Sequence, residues 1–219
     1  MLISIDGPSG VGKTTITKKL ADILGLKAVS TGAIYRAVAY AIKKEGVSLE
    51  DVETLRSFVE GLKIDQEYKN GEIRTYLNGE DVSGYLDEPE ISDLASKIAA
   101  IREVREALLE VQRRIAGDDA VVEGRDIGSV VLPYADIKIY LDASLEVRAK
   151  RRYEYLRSKG LNVSLEEVKR EVRERDNRDK GRSSAPLIRP QDAFYIDTTH
   201  MSIDEVVNRI LKIVRSLAV

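Results

Sequence analysis

The sequence predicts an α/β fold built on a five-stranded parallel sheet with helices on both faces. Three observations carry that expectation. Five short, apolar, β-branched-rich runs recur along the chain, helical periodicity separates most of them, and a glycine-rich turn joins the first run directly to a helix. The 219 residues suit one domain with appendages rather than two full domains. A hydrophobic share of 43% is enough to build a real core.

The first strand is Leu2–Ile5, and the helix Lys13–Leu24 follows its turn, stopped by Gly25. Lys27–Val29, Ala120–Val122, Ile137–Leu141 and Phe194–Ile196 supply the other four strands. Between the second and third strands, helices are expected at Ala33–Lys44, Leu49–Glu60 and Glu90–Ala116, the last breaking near Ala100–Arg102. Within that stretch the pattern changes. The runs Lys63–Tyr68 and Glu72–Leu77 flank Asn70-Gly71, and Asn78-Gly79 follows, so Lys63–Ser83 reads as a small antiparallel insertion. Leu145–Ser158 is helical, Lys159–Val163 turns around Gly160, and the capping box Ser164-Leu165-Glu166-Glu167 opens a helix that Gly181 ends. A second capping box, Ser202 to Glu205, starts the final helix Ile203–Leu217, whose apolar face is Val206, Val207, Ile210, Ile213 and Val214.

Composition narrows the function. Without cysteine there is no disulfide framework, thiolate zinc site or cysteine nucleophile, and the chain suits a reducing compartment, so a cytoplasmic location is expected. One histidine leaves little scope for a His-based metal site. The opening apolar run is broken at once by Asp6, and no run approaches the ~20 residues of a membrane span, so neither signal peptide nor membrane anchor is expected. A net charge of −2 argues against general nucleic-acid binding. From Arg148 to Arg182, however, 13 Lys and Arg stand against 7 Asp and Glu, which points to a small anionic ligand. A monomer is the default expectation.

Gly7-Pro8-Ser9-Gly10-Val11-Gly12-Lys13-Thr14 places two glycines five apart before Lys and Thr, between a strand and a helix. Glycines let the backbone wrap phosphate oxygens while N–H groups and the helix N-terminus face the anion; Lys13 suits the β- and γ-phosphates and Thr14 suits Mg²⁺. This predicts nucleoside triphosphate binding. No Asn-Lys-x-Asp guanine reader is present, and Asp81-Val82-Ser83-Gly84 matches a GTPase switch only in spacing, inside the expected hairpin region. No partner-coupling surface of a motor or transporter is evident, which leaves a small-molecule kinase.

Such a kinase needs a second substrate at the carboxyl ends of its strands. Ser30-Thr31-Gly32-Ala33-Ile34-Tyr35-Arg36 follows the second strand and Glu123-Gly124-Arg125-Asp126 the third, so Arg36 and Arg125 form a candidate clamp on a second phosphate. Tyr35 and Tyr40 suit packing better than catalysis, and His200 reads as an exposed loop residue.

With Ile5-Asp6-Gly7-Pro8-Ser9-Gly10, Gly32 to Arg36, Gly124-Arg125-Asp126-Ile127-Gly128 and Glu174-Arg175-Asp176-Asn177-Arg178-Asp179, nearly the whole chain resembles the bacterial cytidylate kinases, within the nucleoside monophosphate kinases. The resemblance implies a phosphate-loop kinase core (about residues 1–32, 117–147 and 183–219), a monophosphate-binding region (about 33–116, with the hairpin insertion at 63–84) and a helical lid (about 148–182). It implies ATP held by Gly7 to Thr14 with Thr15 and Arg152, and Mg²⁺ at Thr14, with Glu123 acting through water. Thr31, Arg36, Gly124 and Arg125 would engage the monophosphate of CMP or dCMP. Ser96, Arg105 and Asp126 would surround the cytosine beside Tyr35, with Arg175, Asp179 and Arg182 near the ribose. Lys13, Arg125, Arg148, Arg151 and Arg182 would carry the transfer. Arg148, Arg151 and Arg152 share one helical face, as do Arg175, Asp179 and Arg182, which suits closure over phosphates. Two departures stand out: Thr31 occupies a position where serine is common, and Glu123 one where aspartate often sits. A kinase for another monophosphate or small metabolite, and a non-catalytic nucleotide-binding module, are the competing readings.

Overall fold

The computed structural model describes residues 1–217. β1 (Leu2–Asp6) is fully buried and pairs in parallel with β6 (Ala120–Gly124) on one side and β7 (Ile137–Asp142) on the other. β2 (Lys27–Ser30) pairs with β6 and β8 (Phe194–Asp197) with β7, giving the order β2-β6-β1-β7-β8. The expected five-stranded parallel sheet is therefore present. β1 and β6 are buried along their whole length and β7 along most of it, which is why they read as continuous apolar runs rather than alternating ones, whereas the edge strand β8 buries only Ile196.

Ile3, Ile5, Ala28, Val121 and Ile139 face α1 (Lys13–Leu24) and α8 (Ile203–Leu217) in one core layer. Leu2, Val29, Ala120 and Val122 face the other layer, where α2 (Thr31–Glu45), α3 (Val52–Glu60), α4 (Pro89–Ile98) and α5 (Arg102–Ala116) pack. Helices thus cover both faces. No helix among the described residues is long and apolar enough to cross a membrane.

The helix starts differ from expectation for reasons of capping. α2 begins at Thr31 rather than Ala33 because the Ser30 side chain caps it, accepting from Ala33 N. α3 begins at Val52 rather than Leu49 because Asp51 is its cap, accepting from Thr54 N. The break between α4 and α5 falls at residues 99–101, where expected.

The insertion is a three-stranded antiparallel sheet of β3 (Ile64–Lys69), β4 (Glu72–Leu77) and the two-residue β5 (Glu80–Asp81). Asn70 and Gly71 both adopt positive φ, 54° and 73°, the backbone that a tight right-twisting hairpin turn demands. β5 is too short for periodicity to reveal it. α6 (Leu145–Ser158) and α7 (Leu165–Gly181) form a helical hairpin with its own small core of Leu156, Val168 and Val172, and α7 starts with the expected capping box at Ser164. One turn of π-helix, Ile127–Val131, follows β6 and has no signature in the sequence.

Candidate active site

At the carboxyl end of β1 the chain curls through residues 7–12 into α1. Gly10 sits at φ 78°, and a Cβ there would lie 2.5 Å from the Arg148 carbonyl oxygen, so only glycine lets the loop pass this close to α6. The Lys13 ammonium is buried and donates to the carbonyls of Gly7 (2.9 Å) and Pro8 (3.0 Å). Burial, reinforced by the Arg125 guanidinium, lowers its pKa to about 7. Ser9 is gripped from both sides of its backbone: its N–H donates to Asp176 Oδ1 (3.3 Å), and its carbonyl accepts from Arg148 Nη1 (3.0 Å). Arg148 in turn pairs with Asp176 at 2.6 Å, a buried ion pair between the two hairpin helices.

Behind Lys13, Thr14 Oγ1 donates to Glu123 Oε1 (3.0 Å), and Ser30 Oγ donates to the same oxygen (2.5 Å). These are hard oxygen donors. One hydroxyl and one carboxylate, completed by phosphate oxygens and water, suit Mg²⁺. Among the described residues no cluster of three or more His, Cys, Asp or Glu is placed to hold a metal ion.

Opposite the loop, the turn after β6 is fixed from β1. The buried Asp6 carboxylate accepts from Ile127 N (2.8 Å) and Gly128 N (2.7 Å), and burial raises its pKa to about 6 despite those bonds. The turn thereby presents Arg125 and Asp126. Arg125 Nε pairs with Asp179 at 2.8 Å, Arg105 with Asp126, and Arg182 lies 3.7 Å from Asp126 and 3.6 Å from Asp179. Burial alone would raise the Asp179 pKa, but Arg125 and Arg182 outweigh it and hold the carboxylate below its usual range. Arg175 is pushed down to about 10 by burial and by Arg125 and Arg152. The Arg105 guanidinium lies 5.7 Å from the centre of the Tyr35 ring.

Both halves open into one cavity of about 870 Å³. Among the described residues, Ser96 Oγ and the Nε atoms of Arg36, Arg152 and Arg175 are buried there without a hydrogen-bond partner. Orphaned buried donors of this kind call for an anionic, hydrogen-bonding ligand. Gly124 is tightly enclosed: a Cβ would meet Thr31 Oγ1 at 2.5 Å and Ile127 Cδ1 at 2.6 Å. Gly124→Ala is therefore expected to destabilise the fold by about 1–3 kcal/mol through overpacking, seen as a lower urea midpoint; an unchanged midpoint would show that this wall yields.

Of the residues that the sequence assigns to the ATP, CMP, metal and transfer sites, all but Gly7, Pro8, Val11 and Arg148 line this cavity. The shared face of Arg148, Arg151 and Arg152 is real, but its members diverge. Arg148 grips Ser9, and Arg151 donates to Thr198 Oγ1 (2.9 Å), Thr198 O (2.7 Å) and Met201 O (3.2 Å). Arg152 lies toward α4, where Ser92 Oγ accepts from it at 3.5 Å. Links of the same kind join the hairpin to the opposite wall, Arg178 to Asp93 (2.8 Å) and Tyr155 OH to Asp87 (2.7 Å). The sequence reading assigned nothing to Asp6, Ser30 or Asp176. Asp6 had one available signal, a charge at the end of an otherwise apolar strand; Ser30 had another, a capping residue before a helix.

A phosphate cradle at a helix N-terminus, facing a second wall of arginines across one cavity, places this chain among the phosphotransferases of the phosphate-loop kinase class. A family model described as cytidylate kinase matches residues 3–216, and the chain belongs to that family. It is 48% identical to the cytidylate kinase of Caldanaerobacter subterraneus subsp. tengcongensis, over 97% of this chain and 94% of that one. It is 48% identical to the cytidylate kinase of Thermotoga maritima, over 97% of this chain and 96% of that one. Among solved structures, an uncharacterized protein from Eubacterium ventriosum superposes over 99% of both chains with a TM-score of 0.50 at 13% identity, a likeness of fold alone.

Proposed function

We propose that this protein transfers the γ-phosphoryl group of Mg·ATP to the phosphate of CMP, and of dCMP, giving ADP and the corresponding diphosphate. The observation that carries the reading is the juxtaposition of the phosphate loop with the Arg105–Asp126–Arg182 cluster across one cavity. Cytosine offers an exocyclic amine donor beside ring acceptors, which a carboxylate and an arginine complement. Uracil presents an oxygen acceptor at the amine position, and the Asp126 carboxylate would repel it.

In this reading the loop backbone and Lys13 hold the donor phosphates, with Thr15 and Arg151 at the same end. Thr31, Arg36 and Arg125 hold the acceptor phosphate, and Arg175, Asp179 and Arg182 bound the ribose. Thr14, with Glu123 behind it, is the metal-holding pair; bound Mg²⁺ supplies charge neutralisation on the donor phosphates. The acceptor phosphate is already anionic near neutral pH, so no general base is needed, and positioning with charge stabilisation does the work. The α6–α7 hairpin acts as the lid, with Arg152 and Arg182 adding positive charge and excluding water from the transfer. Arg148 serves by holding Ser9 rather than by touching substrate. The cysteine-free composition supports a cytoplasmic setting.

The test is ADP release with Mg·ATP and, separately, CMP, dCMP, UMP, AMP and no acceptor. Turnover confined to the cytosine monophosphates is expected. Equal turnover with UMP or AMP would remove the base-reading role of Asp126, and acceptor-independent ADP release would remove the kinase reading.

A further inference from the structure

The insertion lines the cavity with Glu72, Ile73 and Thr75, and from outside that lining it touches β2 through Gln66. β2 is an edge strand, so the backbone groups on its outer side have no strand partner. At Ser30 that side is filled by Gln66 of β3. Ser30 N donates to Gln66 Oε1 (3.1 Å), and Gln66 Nε2 donates back to Ser30 O (2.9 Å). A carboxamide is chemically a peptide group, and here it adds a single rung to the parallel sheet. Its orientation is fixed by Thr75, opposite it on β4, whose buried hydroxyl oxygen accepts from Nε2 at 3.2 Å.

What the rung holds matters more than the rung itself. Ser30 caps α2, donates to Glu123 Oε1, and is followed directly by Thr31, whose hydroxyl donates to the Glu123 carbonyl at 2.9 Å. We infer that Gln66 is a positioning residue for the acceptor phosphate, fixing Ser30 and Thr31 from outside the sheet. The inference rests on the assignment of Thr31 to the acceptor side. Docking of the insertion does not depend on it: Arg114 Nη2 donates to Ile64 O (2.6 Å), and Tyr68 OH bonds Lys18 O (3.0 Å) and Asp22 (2.6 Å). Loss of the Gln66 amide should therefore loosen Ser30 and Thr31 without releasing the small sheet.

The experiment compares the full-length parent with Gln66→Leu and the isosteric Gln66→Glu, measuring KM for CMP and for ATP. For Gln66→Leu, KM for CMP is expected to rise about tenfold, the equivalent of one charged or well-placed hydrogen bond, while KM for ATP stays within about twofold. In Gln66→Glu at pH 8, the introduced carboxylate faces the Ser30 carbonyl and the same CMP defect appears. As the pH falls toward 5.5 the carboxyl regains a proton and can donate again, so the variant-to-parent ratio of KM for CMP should narrow. That rescue would not follow from a merely structural lesion, and Gln66→Glu preserves shape if Gln66→Leu fails to fold. An active parent whose variants keep its KM for CMP, or raise both KM values together, overturns the inference alone. A parent that makes no ADP with CMP overturns the acceptor assignment and the inference with it.

Discussion

Replacing Lys13 with methionine is expected to lower kcat by about 10²–10³-fold, the loss typical of removing one preorganised charge from a transferring group. Folding should survive. The lysine is buried with its pKa lowered to about 7, so the folded protein carries a burial cost for this charge at and below neutral pH. Between pH 7 and 10.5 the unfolded chain binds more protons here than the folded one, and this contribution to stability rises with pH across that window. At pH 7.5, where methionine removes that burial cost, the variant should melt no more than about 3 °C below the parent. The same shift predicts proton uptake on nucleotide binding. Phosphate oxygens favour the ammonium, so at pH 8 ATP should bind with uptake approaching one proton, read by calorimetry in buffers of different ionisation enthalpy. Near-normal turnover in Lys13→Met would contradict the placement of the donor phosphates; absence of proton uptake would contradict the shift alone.

The second large effect concerns base choice. Asp126→Asn should reduce kcat/KM for CMP by about 10²-fold, because a carboxylate paired with Arg105 and close to Arg182 loses its charge and leaves two buried guanidinium groups under-compensated. UMP should lose less, since an amide can donate to the uracil oxygen where a carboxylate repels it, and the CMP-to-UMP ratio should shrink. ATP affinity, measured without acceptor, should not move. A variant that loses CMP and UMP activity in equal proportion would show that Asp126 orders the arginines without reading the base.

The sheet was legible because its inner strands are buried on both faces and read as apolar runs, and the phosphate loop because its chemistry admits few residue types. The hairpin was legible because Asn70-Gly71 tolerates a backbone that other pairs resist. What escaped was set by tertiary packing. Helical spacing correctly placed Arg148, Arg151 and Arg152 on one face, but whether that face meets a ligand, the Ser9 backbone or the Thr198 carbonyl depends on how α6 lies against the sheet. The π-turn after β6 is held by Asp6, more than 120 residues earlier in the sequence, and no local pattern encodes that bond. Glu123 was expected only as a distant metal organiser; in the fold it also joins Thr14 to Ser30 through a single oxygen.

The bridges from the helical hairpin to α4 and to Asp87 just before it carry a thermodynamic consequence. Arg178–Asp93 and Tyr155–Asp87 join the hairpin to the opposite side of the cavity, so on the proposed reading the donor and acceptor walls would share part of their conformational freedom. Partly exposed contacts of this strength are worth about 1 kcal/mol or less each, which sets the scale of any synergy between substrates at a few-fold. Because such linkage is reciprocal, the factor by which one nucleotide tightens the other must be the same whichever arrives first.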